Sequence, residues 1–409
     1  LYPFPLLPRS PLRPPSMLTL FAIPKPFQGH IGIIQRNAIQ SWVRLQPRPE
    51  IILLGDDEGT AEVAQEFGVK HIPDIARNEH GTPLISSMFD RARQVGSGPL
   101  FAYVNSDIML LNDFMKAIQQ VSFERFMMCG QRCDLNVAEA IDFDHPNWEM
   151  DLRQRATASG QLNGPWSLDY FVFPESLYQE VPPFAIGRFY FDNWLCYKAI
   201  DSNVALIDAT DAVLAIHQNH DYNHQPGGYH GIWESEEGKT NQKLAGGDDY
   251  LFFRIDLANW LMTPQGLLQP EWTGDRLNRC LEMLPLVRPE LASWAALLKQ
   301  LIDTRFHSHL SDTTLAELLQ NLGETYFNQS DRWFWFSLQA ADKDAVVTLS
   351  RPGDREEVER LKSQLFHTQL HVEQLYSKIA AMENNRVWKL RNHLLKLKNW
   401  LLRKSNSDP

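Results

Sequence analysis

The stretch LFAYVNSDIMLLNDF, Leu100 to Phe114, decides how this chain is read. Two apolar, strand-forming runs, LFAYV and IMLL, are separated by Asn105, Ser106 and Asp107. Burying three polar side chains between apolar runs is costly unless something binds them, so the triplet is a turn or a site. Upstream, MLTLFAIP, GIIQRNAIQSWVRL, EIILLGDD, TAEVAQEFGV and KHIPDI read from Met17 as strand, helix, strand, helix, strand. The segment PLISSMFDRARQVG, with Leu84, Ile85, Met88 and Phe89 at helical spacing, then delivers the chain into PLFAYVNSD. This alternation predicts an α/β fold, a mixed and mainly parallel sheet with helices on both faces. Open sheets of that kind bind ligands beyond the carboxyl ends of their strands. Three such ends are polar here: Pro24-Lys25-Pro26, Gly55-Asp56-Asp57 and the triplet itself.

Composition narrows the classes. A chain of 409 residues with 44% hydrophobic content has room for a large core and a further element. Its formal net charge of -11 excludes a general nucleic-acid binder, which needs clustered positive surface. Cys129, Cys133, Cys196 and Cys280 are too few and too irregular for a disulfide framework, so reduced thiols and a cytoplasmic setting are expected. No apolar run reaches the length of a membrane-spanning helix. The first sixteen residues hold six prolines and read as a disordered extension, or as sequence upstream of a start at Met17.

Past the triplet, FMMCGQRCDL, GPWSLDYFVFP, the helix-like FDNWLCYKAIDS and the strand DAVLAIHQNHD continue the domain to about Leu261. The segment Tyr222 to Gly247, rich in Gly, His and Asn, is too long for a simple connector and is expected to be a binding loop. A helical region is expected over 262–350. Val358, Leu361, Leu365, Thr368, Val372, Leu375, Ile379 and Met382, all apolar but Thr368, then mark a heptad seam, read as a coiled coil joining copies of the chain or as a long helix docking on its own domain. From Arg386 to Lys404 a stripe of leucines is flanked by seven cations, no acid, and Trp388 and Trp400. Such a helix suits an anionic membrane surface, or is a coiled-coil end with solvated lysines. The tail as a whole gives the domain scheme 1–16, 17–261, 262–350 and 351–404.

Asp107 and Asn105 stand two positions apart at a strand end, so both side chains point to one side. Paired oxygens there suit a hard divalent cation, Mn²⁺ or Mg²⁺; a plain turn is the alternative. The order of strand, helix, LLGDDEG, a helix holding Arg91 and Arg93, then FAYVNSDIML resembles nucleotide-diphospho-sugar glycosyltransferases of the GT-A type, family 2-like, over roughly Leu18 to Asp221. In that family the triplet is the DXD motif, whose last acid binds the metal that holds the donor diphosphate; Asn105 replaces its first acid here. The resemblance implies donor contacts from Ile23, Pro24, Lys25, Asp56, Asp57, Arg91, Asn105, Ser106 and Asp107. Asp56 and Asp57 also read as a turn and helix cap. It implies Asp192 as the base that deprotonates the acceptor hydroxyl, though Asp192 also suits an N-cap. It places Trp166, Asp169, Asn193 and Trp194 on the acceptor side, where a tryptophan face packs on sugar rings; Trp166 equally reads as core. A histidine after the last core strand completes the metal shell, and His217 fits, with His220 in reserve. The tail AMENNRVWKLRNHLLKLK looks like those of bacterial, especially cyanobacterial, surface-polysaccharide enzymes, which implies a peripheral enzyme at the inner membrane face acting on a glycan, lipid-linked or other hydroxyl acceptor.

Four rivals are weighed. A zinc hydrolase lacks a His-Glu-x-x-His helix despite His217, His220, His224 and His230. An α/β-hydrolase lacks its Gly-x-Ser-x-Gly elbow. A sugar-1-phosphate nucleotidyltransferase opens with a glycine-rich signature that AIPKPFQGH lacks. A catalytically silent scaffold, organised by the coiled coil, keeps its place through Asn105.

Overall fold

The computed structural model describes residues 18–220, 235–270 and 274–289, with isolated positions as far as 299. Its first half alternates β1 (Leu18–Ala22), α1 (Gly29–Val43), β2 (Glu50–Leu54), α2 (Thr60–Phe67), β3 (Lys70–Ile72), α3 (Ile85–Val95) and β4 (Leu100–Val104). Then follow β5 (Ile108–Met109), α4 (Asn112–Gln120), β6 (Phe126–Cys129), β7 (Arg132–Leu135), α5 (Trp148–Ser159), β8 (Gln161–Leu162) and β9 (Tyr170–Pro174). The remaining described elements are α6 (Phe191–Asp201), β10 (Ala205–Asp208), β11 (Ala215–Gln218), α7 (Glu236–Ala245), β12 (Trp260–Thr263), β13 (Gly266–Leu268) and α8 (Gly274–Val287).

Nine strands form one sheet in the order β13-β12-β10-β6-β9-β4-β1-β2-β3. The pairs β1–β2, β1–β4, β2–β3, β6–β10 and β10–β12 are parallel, while β9 runs antiparallel between β4 and β6. The mixed, mainly parallel architecture is the one expected. β1 and β4 are buried along their whole length because helices cover both faces. Alternation sorts their side chains: Leu18, Leu20 and Ala22 meet Ala38, Ile39 and Trp42 of α1. On the other face Phe21 packs against Phe89 of α3, whose ring stacks on Phe173 at 5.3 Å.

A second, four-stranded sheet, in the order β5-β11-β7-β8, was not legible from periodicity. It answers the question posed by the polar triplet. The chain leaves the large sheet at Val104, turns tightly with the Ile108 N–H donating to the Asn105 carbonyl at 3.1 Å, and enters the small sheet as β5. Asn105, Ser106 and Asp107 are the crossing. Helix α1 fixes it: Trp42 Nε1 donates to the Ile108 carbonyl at 2.9 Å, and the Leu110 N–H donates to Ser41 Oγ at 3.1 Å. Trp42 is fully buried, and Trp42→Ala is expected to cost about 3–5 kcal/mol. Thermal denaturation should register this as a fall in Tm of roughly 10 °C; an unchanged Tm would show that α1 does not hold the crossing.

Two expectations shift. The domain boundary expected at Leu261 falls inside β12, which with β13 carries the large sheet on to Leu268, because the β12–β13 hairpin pairs along its edge. The expected loop from Tyr222 to Gly247 ends in helix α7, whose N-terminus is capped by Ser235 Oγ accepting from the Gly238 N–H at 3.0 Å. Helices α4 and α5 were not anticipated. The proline-rich start, the heptad seam at 358–382 and the basic stripe at 386–404 lie outside the described residues. Among the described residues no helix is long and apolar enough to cross a membrane.

Candidate functional site

At the carboxyl ends of β1 and β4 lies a cavity of about 250 Å³. Ile23 and Lys25 line it from the loop after β1, and Asn105, Ser106 and Asp107 line it from the crossing. Arg132, Asp169, Arg188, Asp192, His217 and His220 complete its polar wall. The loop after β1 is held by Gln35 of α1, which accepts from the Lys25 N–H at 2.6 Å and donates to the Lys25 carbonyl at 2.8 Å.

The pairing of β11 with β5 sets His217 opposite Ile108, and so beside Asp107. Asp107 Oδ2 lies 3.1 Å from His220 Nε2 and 3.8 Å from His217 Nε2. The three residues can offer ligand atoms that all lie within 4.8 Å of one another. Cation ligands at about 2.1 Å and right angles sit about 3.0 Å apart, so the first pair is already spaced for chelation and the second needs less than about 1 Å of closing. Asp107 Oδ1 is buried without a hydrogen-bond partner, which marks it as an oxygen awaiting one. Burial alone would push this carboxyl up, yet the hydrogen bond from His220 and the charges of His217, His220 and Lys25 hold it well below the ordinary range. It is therefore ionised, as a cation requires. The residues fit a divalent ion.

Beside this cluster, Asn105 donates from Nδ2 to Asp169 Oδ1 at 2.5 Å while its Oδ1 accepts from the Tyr103 hydroxyl at 2.7 Å. Asp169 also accepts from Arg132 Nη1 at 2.9 Å. Asn105 and Asp169 are thus held by each other and by Arg132. Asp192, in the first turn of α6, differs. Its Oδ1 is buried with no hydrogen-bond partner, and among the described residues it makes no ion pair. Burial, aided by the charge of Asp169, raises its carboxyl to about 7. Tyr190, just ahead of it, adopts φ 85°, a conformation rarely taken by aromatic residues and typical of positions held for a purpose.

Several sequence-predicted residues lie elsewhere. Asn193 donates to the carbonyls of Leu251 and Phe253, and Trp194 packs on Phe184 at 5.6 Å. Consecutive helical positions point in different directions, so of Asp192, Asn193 and Trp194 only Asp192 faces the cavity. Arg91 donates to the Asp74 carbonyl and to Gln94, away from the lining. Asp56 and Asp57 meet Arg77 at 2.7 and 2.9 Å in the turn after β2. That turn packs on the loop after β1, where the Phe27 N–H donates to the Glu58 carbonyl at 2.9 Å. Pro24 is buried beside Ile23. Trp166 is 56% exposed rather than core, with the Arg254 guanidinium 5.9 Å above its ring. Sequence reasoning missed Arg77, Arg132, Asp134 and Arg188. The alternation in RCDL places Arg132 and Asp134 on one face of β7, but nothing local says that β11 lies beside it. A larger cleft of about 640 Å³, lined in part by Gln131, Cys133 and an Arg153 paired with Asp113 and Glu149, receives none of the predicted residues.

No family model matches the chain, and neither does any curated protein. Similar solved structures include a mannosyltransferase from Pyrobaculum calidifontis in complex with GDP-Man and Mn²⁺, at 11% identity and TM-score 0.33 over 83% of this chain and 90% of that one. Another is glucosyl-3-phosphoglycerate synthase from Mycobacterium tuberculosis with Mn²⁺, uridine-diphosphate and phosphoglyceric acid, at 14% identity and TM-score 0.34 over 57% and 79%. A third is S. aureus TarS, at 10% identity and TM-score 0.35 over 58% and 43%. With identity and shape agreement this low, the chemistry has to come from the site's own residues.

Proposed function

We propose that the chain is a metal-dependent glycosyltransferase of the GT-A type, which moves a sugar from a nucleoside diphosphate donor to a hydroxyl acceptor. The observation that carries this reading is one cavity holding both a cation cradle, Asp107 with His217 and His220, and a buried acid raised to about 7, Asp192. When bound, the cation supplies positive charge to the departing diphosphate.

The chain's own residues do the rest. Lys25 brings a second cationic group to the same wall. Arg132 neutralises Asp169, so the proton-accepting role falls to Asp192 alone. Its carboxylate takes the acceptor hydroxyl's proton as the acceptor oxygen bonds to the sugar's anomeric carbon and the bond from that carbon to the diphosphate oxygen breaks. A carboxyl near 7 is well placed for this, because a general base works best with a pKa near the working pH. Trp166, exposed and three residues before Asp169, offers an apolar face for acceptor sugar rings. The nature of the tail supports surface-polysaccharide synthesis at a membrane as the setting, with copies joined through 358–382 and contact through 386–404.

Purified full-length protein titrated with UDP- and GDP-sugars and Mn²⁺ should release free nucleoside diphosphate; the absence of both release and metal-dependent donor binding overturns the reading. The donor set makes a further demand. Two imidazoles and one carboxylate are softer than an all-oxygen shell. Mn²⁺ is therefore expected to support activity at a concentration at least about tenfold lower than Mg²⁺, and equal half-saturating concentrations would contradict the assigned ligands.

A further inference from the structure

The cation reading above leaves one half-buried charge unexplained. Asp134, on β7, is the direct register partner of His217 on β11. Asp134 Oδ1 lies 2.9 Å from His217 Nδ1, the ring nitrogen turned away from Asp107, at ion-pair distance but with an angle outside hydrogen-bond geometry. The acid is itself anchored: Asn163 Nδ2 donates to Oδ2 at 2.8 Å, and Arg132 Nε stands 2.8 Å from Oδ1. Arg132 continues to Asp169, so an unbroken chain of charged contacts links the back of His217 to the neighbourhood of Asp192.

We infer that Asp134 is a positioning residue for the cation site: it holds the proton of His217 on Nδ1 and thereby makes Nε2 the ligand atom. The reasoning is chemical. A neutral imidazole carries one proton, and its other nitrogen alone can bind a metal. A carboxylate at one ring nitrogen fixes both the tautomer and the ring's direction, and such outer partners are worth about 10–100-fold in metal affinity. His217 Nε2 is the nitrogen facing Asp107, 3.8 Å from Oδ2, so the tautomer that Asp134 selects is the one the cradle needs.

This inference rests on the cation reading, and the test separates the two. Mn²⁺ is titrated into the full-length wild type, Asp134→Asn and Asn163→Ala, and pulsed electron paramagnetic resonance counts the imidazole nitrogens coupled to the ion. The wild type should show two coupled nitrogens. Asp134→Asn should bind Mn²⁺ about 10–100-fold more weakly and lose one coupling, with far-ultraviolet circular dichroism unchanged. Asn163→Ala keeps the charge of Asp134 and its contact with Arg132 but removes one of its two anchors, so it should weaken Mn²⁺ binding while retaining wild-type stability; it also carries the test if Asp134→Asn does not fold. Retention of both couplings and of wild-type affinity in the variants overturns the positioning role. A wild type that shows no coupled imidazole at all overturns the cation reading instead.

Discussion

Asp192→Asn is expected to lower kcat for sugar transfer by roughly 10²–10⁴-fold while leaving Mn²⁺-dependent donor binding intact. The amide keeps the shape of the carboxyl and its backbone contacts but cannot accept the acceptor's proton. In the wild type, kcat/KM should fall about tenfold per pH unit below about 7, as the raised carboxyl becomes protonated; a profile flat down to about pH 5 would exclude Asp192 as the base. The same substitution should stabilise the fold. A carboxyl held at about 7 rather than its ordinary 3.8 binds its proton more tightly in the native state than in the unfolded chain. Native stability from this group is therefore full below the ordinary value and is lost as pH rises towards about 7, where the ionised form costs on the order of 4 kcal/mol. Asparagine removes that penalty, so at roughly pH 8 the variant should melt several degrees above the wild type. Loss of activity with a gain in Tm is the signature of an acid kept in place for chemistry.

The second large effect is at Asp107. Asp107→Ala removes the one carboxylate of the cradle and leaves two histidines facing a site without its anion. Metal-dependent donor affinity and transfer should both disappear, by about 10³-fold or more, because the loss of roughly 4 kcal/mol or more follows from removing a charged ligand from a buried site. Calorimetric titration of donor with and without Mn²⁺ measures this directly. If the cation still strengthens donor binding in the variant, the ion sits elsewhere.

The sequence exposed the sites where strands end, and the structure shows why. β1 and β4 are buried on both faces and read as unbroken apolar runs, so Lys25 and Asp107 stand out at their tips. His217 was legible for the same reason, as the polar break in an apolar strand. What could not be read is pairing at a distance. β5 has two residues and β8 has two, too short for any periodicity to declare a second sheet. Without that sheet, Asp134 and Arg132 look like an ordinary solvated pair. Arg77 was hidden similarly: Asp56 and Asp57 advertise a site, but the cation that meets them comes from a segment twenty positions away with no pattern of its own. Asn193 and Trp194 were misjudged by adjacency, since a helix turns its neighbours away from one another.

The crossing at Asn105 to Asp107 sets an order of events as the chain matures. The aspartate of the cradle and the histidine that hydrogen-bonds it are separated by 113 positions. They meet only when the small sheet closes against the end of the large one. A chain in which β11 has not yet paired therefore lacks the cluster of Asp107, His217 and His220.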